Sequence, residues 1–561
     1  MKSMDTQRLI LFFVFSFSLL LLWTEWEKEQ RPKPAAVAAA AQQSKEAKGV
    51  PGAVPTPATQ ATAATPAAVP APVAGPVALK GETIQVKTDL LVADIDTLGG
   101  GVTRIELLKH KETNDQTKNL VLLGPEHQYF AQSGLTGDGG PNHRTLWRVL
   151  PGERMLPDGK DSLELRLAAE GRDGLVVEKV YTFARDSYQI GVAIEIRNGG
   201  TVPVAPHAYF QLTHDGKQPA GGSSLAQSFG AQSFNGFAQY TNEKKFEKVQ
   251  FSDIDKGKPD HLKQSGDGWI AYVQHYFVAA WVTEGAGLRD YVVEKRPDGV
   301  YSGRVVIAVP AIAPGATAKV SAPLYAGPQE QRRLKDVAPG FDLVVDYGWL
   351  TIIAWPLFWL LEKYFSLAAN WGVAIILLTV TLKLVFFPLS AASYRSMAKM
   401  KLVTPRLTKI REMYANDRAR QNQAMMELYK TEKINPLGGC FPILVQIPVF
   451  IALYWVLLAA IELRHAPFML WIHDLSALDP FYVLPILMTI TMVIQTKLNP
   501  VPPDPVQAKV MMFMPFVFSI FFFFFPAGLV LYWLVNNILS IAQQWQIQRM
   551  FERQIPAHGK R

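Results

Sequence analysis

The sequence predicts a multi-pass α-helical membrane protein with six transmembrane helices and a large all-β domain on one side of the membrane. Three observations lead there. Apolar residues concentrate at the extreme N-terminus and between residues 349 and 545. Between about 81 and 340 the apolar pattern has period 2 instead, and no run of membrane-spanning length occurs. The net charge of +8 sits largely in one loop between hydrophobic spans, which points to membrane orientation rather than to nucleic acid.

The elements follow in order. Leu9 to Trp23 is an almost unbroken apolar run behind Lys2 and Arg8 and ahead of Glu25, Glu27 and Glu29. A cleaved signal peptide has the same plan, but no A-x-A site directly follows the run. Residues 1–30 therefore read as a cytoplasmic N-terminus with a signal-anchor helix, Met4 to Trp26 crossing with polar ends in the interface. In 31–80, Ala and Pro fill 26 of 50 positions and no aromatic residue occurs, which marks a disordered linker. Residues 81–340 alternate, as in Leu163, Leu165, Leu167 and Ile190, Val192, Ile194, Ile196, between Gly, Asn, Asp and Pro clusters. That is the pattern of an antiparallel β-sandwich. With the first helix entering from the cytoplasm, this domain is periplasmic.

Five further spans are expected at Trp371–Leu389, Gly438–Ile461, Phe481–Gln495, Val510–Phe525 and Ala527–Gln546, the last two joined by the turn Phe525-Pro526-Ala527-Gly528. Trp349–Leu361 is a possible extra span. If it crossed, the loop 392–436, with ten Lys/Arg against four acids, would face outward against the positive-inside bias. Residues 341–365 are therefore expected to hold an amphipathic helix in the outer interface, anchored by Trp349, Trp355 and Trp359. The helical core spans 366–550, the loop 392–436 forms a cytoplasmic hairpin broken near Asn416-Asp417, and 551–561 is a short cytoplasmic tail.

Chemistry is sparse. The single cysteine, Cys440, forbids an internal disulfide and a CxxC zinc site. There is no GxxxxGK[ST], HExxH or GxSxG. Lys383 is the most informative residue, 12 positions after Trp371 and 12 before Arg395. A cation at a helix centre costs about 2.5–3.5 kcal/mol on insertion, so it either faces a wet cavity or snorkels to the headgroups. The other spans offer no acidic partner, which favours the cavity. Thr379 shares its face. Gln446, Thr489, Thr491, Asn536, Asn537, Ser540 and Gln543 are further polar groups within spans, each alone a helix–helix hydrogen bond, together the lining of a groove. In the hairpin, Met397, Met400, Met413, Met425 and Met426 read either as adaptable contacts or as packing of the hairpin on itself. In the β domain, His207, His214 and Asp215 lie close in sequence and read either as an acid–base pair or as neighbours by chance.

SMAKM at 396–400, NPLGGCFP at 435–442, WIHDLSALDP at 471–480 and FPAGLVLYW at 525–533 occur in this order and spacing. Together they resemble the YidC-type membrane protein insertases, over roughly Asp342 to Met550, and the anchor with a long β domain looks like the Gram-negative branch. The resemblance implies a five-helix insertase core whose hydrophilic groove opens to cytoplasm and lipid, and a periplasmic domain similar to sugar-binding β-supersandwiches. It implies insertion, folding and assembly of nascent inner-membrane proteins, alone or with the Sec translocon, with no enzymatic activity, catalytic residue, metal or cofactor. Lys383 stands where many Gram-negative members have arginine, which keeps the charge and loses the guanidinium fork. Trp533 stands where some have tyrosine.

The groove candidates are then Lys383, Thr379, Gln446, Tyr532, Trp533 and Asn537. The hairpin contact candidates are Arg395, Met397, Lys399, Met400, Lys401 and Arg406. Implied partners are nascent membrane proteins, the Sec translocon with its auxiliary subunits, the ribosome or signal recognition particle and its receptor, and the phospholipid bilayer, without sequence-specific nucleic-acid binding. The implied location is the bacterial inner membrane, both termini cytoplasmic. Two other functions compete: a small-molecule or ion transporter built on the intramembrane lysine, against which no internal repeat is evident, and a membrane-tethered carbohydrate-binding protein or enzyme.

Overall fold

Alternation decides the β domain strand by strand. In the strand Ser162–Glu170, Leu163, Leu165 and Leu167 are buried while Ser162 and Glu164 are exposed, the signature of a half-buried pleat. The computed structural model describes residues 80–554 except 114, 138, 218–233, 286, 433–440 and 500–504. The expected signal anchor, nearly all of the Ala/Pro linker, Cys440 and most of the tail lie outside the described residues. The chain divides into two compact units. Among the described residues, one comprises 80–358 with Ile451–Ala466, and the other comprises 359–450 and 467–554.

The first unit is a sandwich of two antiparallel sheets. A nine-stranded sheet runs Thr83–Lys87, Leu91–Asp96, Gly101–Lys111, Phe130–Thr136, His207–His214, Tyr301–Ala308, Arg289–Lys295, Gln264–Ser265, with Asn119–Leu123 added beside Gly101–Lys111. A ten-stranded sheet runs Lys245–Val249, Gly236–Thr241, Trp269–Val273, Phe277–Val282, Leu324–Pro328, Gln189–Asn198, Leu175–Ala184, Ser162–Glu170, Arg148–Val149, with Thr317–Ser321 beside Gln189–Asn198. His207–His214 is central in its sheet, in register with Thr136–Phe130 on one side and Ala308–Tyr301 on the other. The core is aromatic: Trp147, Trp269, Trp281, Tyr181, Tyr209, Phe210 and Phe237 are almost wholly buried. Such large rings dominate the area removed from water. Two short helices, α1 (Phe251–Asp255) and α2 (Gln331–Val337), accompany the sheets.

The helices continue as α3 (Thr351–Ala368), α4 (Trp371–Val385), α5 (Phe387–Met413), α6 (Arg418–Thr431), α7 (Phe441–Ala459), α8 (Val483–Leu498), α9 (Pro505–Phe522) and α10 (Ala527–Gln554). In α3 the buried positions Ala354, Leu357, Phe358 and Leu361 keep helical spacing, and Ile352, Trp355, Trp359 and Leu367 are exposed. Asn370 caps α4, its Oδ1 accepting from Val373 N at 3.1 Å while its Nδ2 donates to Phe468 O at 2.9 Å. Asp417 caps α6 in the same way through Arg420 N.

The span expected at Trp371–Leu389 is not one helix. It breaks at Phe386, and α4 and α5 meet at 65°. Pro388 accounts for the break: it has no N–H to give, and it sits in the first turn of the new helix, where none is needed. Among the described residues no single helix is long and apolar enough to cross a membrane, and α4 with α5 is the one bent pair that meets the test together.

Candidate functional site

The last helix among the described residues organises the second unit. α10 packs along α8, α4 and α5, and it presents Asn536, Ser540, Gln544 and Gln548 at intervals of four, one stripe on one face. Around part of that stripe lies a cavity of about 310 Å³. α4 contributes Lys383, and α5 contributes Ser390, Ser393, Tyr394 and Met397. α7 adds Gln446, Ile447 and Phe450, and the end of α8 adds Gln495 and Asn499. α10 supplies Asn536, Asn537, Ser540 and Gln544. Among these described lining residues, none is acidic.

Lys383 is buried, and its Nζ donates to Ser540 Oγ at 2.6 Å. The Ser540 hydroxyl donates in turn to Asn536 O at 2.7 Å, which turns its lone pairs toward the ammonium. Gln446 Nε2 donates to Asn536 Oδ1 at 3.3 Å and ties α7 to α10. Asn537 Nδ2 donates to Thr491 Oγ1 at 2.9 Å, Gln544 Nε2 to Asn499 Oδ1 at 3.0 Å and Gln548 Nε2 to Leu498 O at 3.2 Å, so three donors of α10 stitch it to α8. The wall thus sets amides and hydroxyls, with one positive charge among them, beside the apolar Met397, Ile447 and Phe450.

Of the six groove candidates, Lys383, Gln446 and Asn537 meet at this cavity. Thr379 does not: it is buried and its Oγ1 donates back to Ile375 O at 2.7 Å within α4. Tyr532 is buried away from the lining. Trp533 stands behind it, stacked on the lining residue Phe450 at 5.3 Å and packed against Phe522 and Phe525. Of the hairpin candidates, Met397 lines the cavity, whereas Arg395, Lys399, Lys401 and Arg406 are exposed, Arg406 pairing with Glu432 at 2.5 Å. Met400 packs with Met425, Leu428 and Tyr429 on Val403 and Leu407, so two of the methionines close the hairpin on itself, while Met413 and Met426 stay exposed.

Sequence reasoning passed over Ser390, Ser393, Tyr394, Asn499 and Gln544, and it singled out Gln543 one position too early. The four-residue stripe on α10 was the available signal. In the β domain, His207 and His214 occupy opposite ends of one strand, so that trio is not assembled.

Residues 83–360 match the model of the YidC periplasmic domain, and residues 361–554 match that of the 60Kd inner membrane protein. A membrane protein insertase YidC from Aromatoleum aromaticum is 53% identical over 552 residues, 98% of each chain. The chain belongs to the YidC family of membrane protein insertases. Another YidC insertase, from Methylobacillus flagellatus, is 54% identical over 553 residues, again 98% of each chain. A solved structure of an active YidC insertase with its first transmembrane domain resolved covers 82% of this chain and 91% of its own, at 17% identity and a TM-score of 0.38. Membership in the YidC family makes this an inner-membrane protein with a periplasmic all-β domain of two sheets, followed by C-terminal helices. The family is not one of enzymes.

Proposed function

We propose that this insertase works through the cavity around Lys383, which receives hydrophilic, acidic parts of a nascent membrane protein while the client's apolar helix leaves sideways into lipid. The carrying observation is a buried ammonium whose cavity lining holds amides and hydroxyls and no carboxylate. Moving a polar segment across a hydrocarbon layer of ~30 Å strips its backbone and charges of water. A polar cavity partway through shortens the dry path, and apolar burial of the client helix drives its release. The membrane potential adds about 2.3 kcal/mol per charge per 100 mV. No catalytic residue, metal or cofactor takes part.

The rest of the plan belongs to the same proposal. Six spans place both termini in the cytoplasm: a signal anchor within 1–30 and a five-helix core within 366–550. The linker 31–80 carries the periplasmic domain 81–340, 341–365 lies in the interface, and 551–561 is a tail. The exposed Arg395, Lys399, Lys401 and Arg406 of the hairpin 392–436 face anionic headgroups and the ribosome or targeting machinery, and the Sec translocon shares clients.

The test is insertion of a short single-span client into proteoliposomes containing only this protein. Lys383→Arg retains insertion, because charge suffices. Lys383→Ala loses about tenfold or more, the equivalent of one charge-assisted hydrogen bond of roughly 1.5–3 kcal/mol. Equal insertion by all three proteins removes Lys383 from the mechanism.

A further inference from the structure

The β domain holds a second polar cluster, outside the cavity proposed for insertion. The turn Pro125–His127 and the end of the strand His207–His214 are pinned together by Asp215 N, which donates to His127 O at 2.8 Å. This main-chain bond brings His127, His214 and Asp215 into one group, with a ligand atom from each lying within 4.8 Å of the other two. Nδ1 of His127 and Nδ1 of His214 each lie 3.5 Å from the same oxygen, Asp215 Oδ1.

That spacing is too long for a good hydrogen bond and close to what an ion between them needs. With Zn–N and Zn–O near 2.0–2.1 Å in tetrahedral array, ligand atoms stand about 3.3 Å apart. His127 Nδ1 is buried and has no hydrogen-bond partner among the described residues. His214 is nearly inaccessible and its ring is stacked on Tyr272 at 4.2 Å, which fixes one imidazole as a rigid ligand. Its Nδ1 accepts from Gly216 N at 2.9 Å, and an ion takes over that lone pair. The His127 ring lies parallel to it at 5.6 Å, and being the more exposed of the two it is the one that turns to close the site. Lys217 Nζ, 3.4 Å from Asp215 Oδ2, is highly exposed and swings away at little cost.

We propose that His127, His214 and Asp215 bind a divalent transition-metal ion, Zn²⁺ above all, with water completing the coordination. Two imidazoles and a single carboxylate favour Zn²⁺ or Ni²⁺ over Mg²⁺ and Ca²⁺, which call for more oxygen ligands. The ion would clamp the 125–128 turn to the strand end beside it.

The experiment titrates chelator-treated full-length protein in detergent with Zn²⁺ by calorimetry, alongside His127→Ala, Asp215→Asn and His207→Ala. The expected result is one Zn²⁺ site in the wild type that is weakened about tenfold or more in the first two variants. His207→Ala, at the far end of the strand, keeps it, and a large excess of Mg²⁺ does not compete. Because His127 is partly exposed, its alanine variant keeps the metal-free unfolding midpoint of the wild type and loses the rise that Zn²⁺ gives. Visible absorption of bound Co²⁺, present in the wild type and absent in His127→Ala, reports coordination directly. Equal Zn²⁺ binding by all four proteins, no binding by the wild type, or displacement by Mg²⁺ would each overturn the proposal.

Discussion

Among the described residues two lysines are buried, one in each unit, and their surroundings differ in kind. Lys179, in the strand Leu175–Ala184, gives its three hydrogens to Gly99 O at 2.7 Å, Gly100 O at 3.1 Å and Ser133 O at 2.7 Å, beneath the Trp147 ring at 4.4 Å. Gly99 and Gly100 both have positive φ, and a Cβ on Gly99 would stand 2.4 Å from His143 O, so that carbonyl cradle depends on glycine. Desolvation pulls the Lys179 pKa well below the ordinary lysine range. The three carbonyls oppose it, because only the ammonium has three hydrogens to give. Lys383 has one hydroxyl, Ser540 Oγ, as its hydrogen-bond partner among the described residues, and it borders a cavity. A buried cation with every donor used is part of the architecture; one with donors to spare beside a cavity fits the role proposed for it above.

The largest test of that contrast is Lys179→Met. It leaves three buried carbonyls without a donor, and we expect a loss of about 3 kcal/mol or more in denaturant unfolding of the full chain. Lys383→Met should do the opposite, changing stability by less than about 1 kcal/mol while insertion falls about tenfold. Exchanged outcomes would break the distinction between a structural and a working lysine.

A second difference concerns protons. His110 sits edge-on to Phe277 at 5.5 Å, and burial, with Arg464 and His465 nearby, lowers its pKa to about 4. The unfolded chain binds that proton near pH 6.5 and the folded one does not, so stability is whole above pH 6.5 and declines as pH falls toward 4. The decline amounts to roughly 3 kcal/mol, and His110→Phe should flatten it in a pH series of unfolding midpoints. Smallest is the seam between α8 and α10. A double-mutant cycle with Asn537→Ala and Thr491→Val should return a coupling of about 0.6 kcal/mol, typical of interhelical hydrogen bonds in membrane proteins.

How much was legible in advance follows from what each feature depends on. The strands are local: Leu163, Leu165 and Leu167 alternate because the pleat does, and the sandwich could be read from them. Lys383 was legible because a charge inside an apolar run stands out against its neighbours. The cavity was not, because it exists only where five helices approach. Ser390, Ser393 and Tyr394 lie beyond a bend that Pro388 imposes, and Asn499 lies past the end of α8, so nothing in their own segments marks them as neighbours of Lys383. Thr379 shows the converse failure. It stands one turn from Lys383 on the same helix, but a threonine in a helix can satisfy itself on the carbonyl four residues back, and Thr379 does so.

Asn536, Asn537, Ser540 and Gln544 all come from α10, the last helix among the described residues. A polypeptide is made from its N-terminus, so the cavity is completed only when synthesis has passed residue 544. Until then Lys383 has no Ser540 beside it, and α7 and α8 have no amides to bond. Under the proposed function, a chain that ends before α10 is expected to be inert rather than half-working. On the function proposed above, activity certifies that α10 has been made and packed.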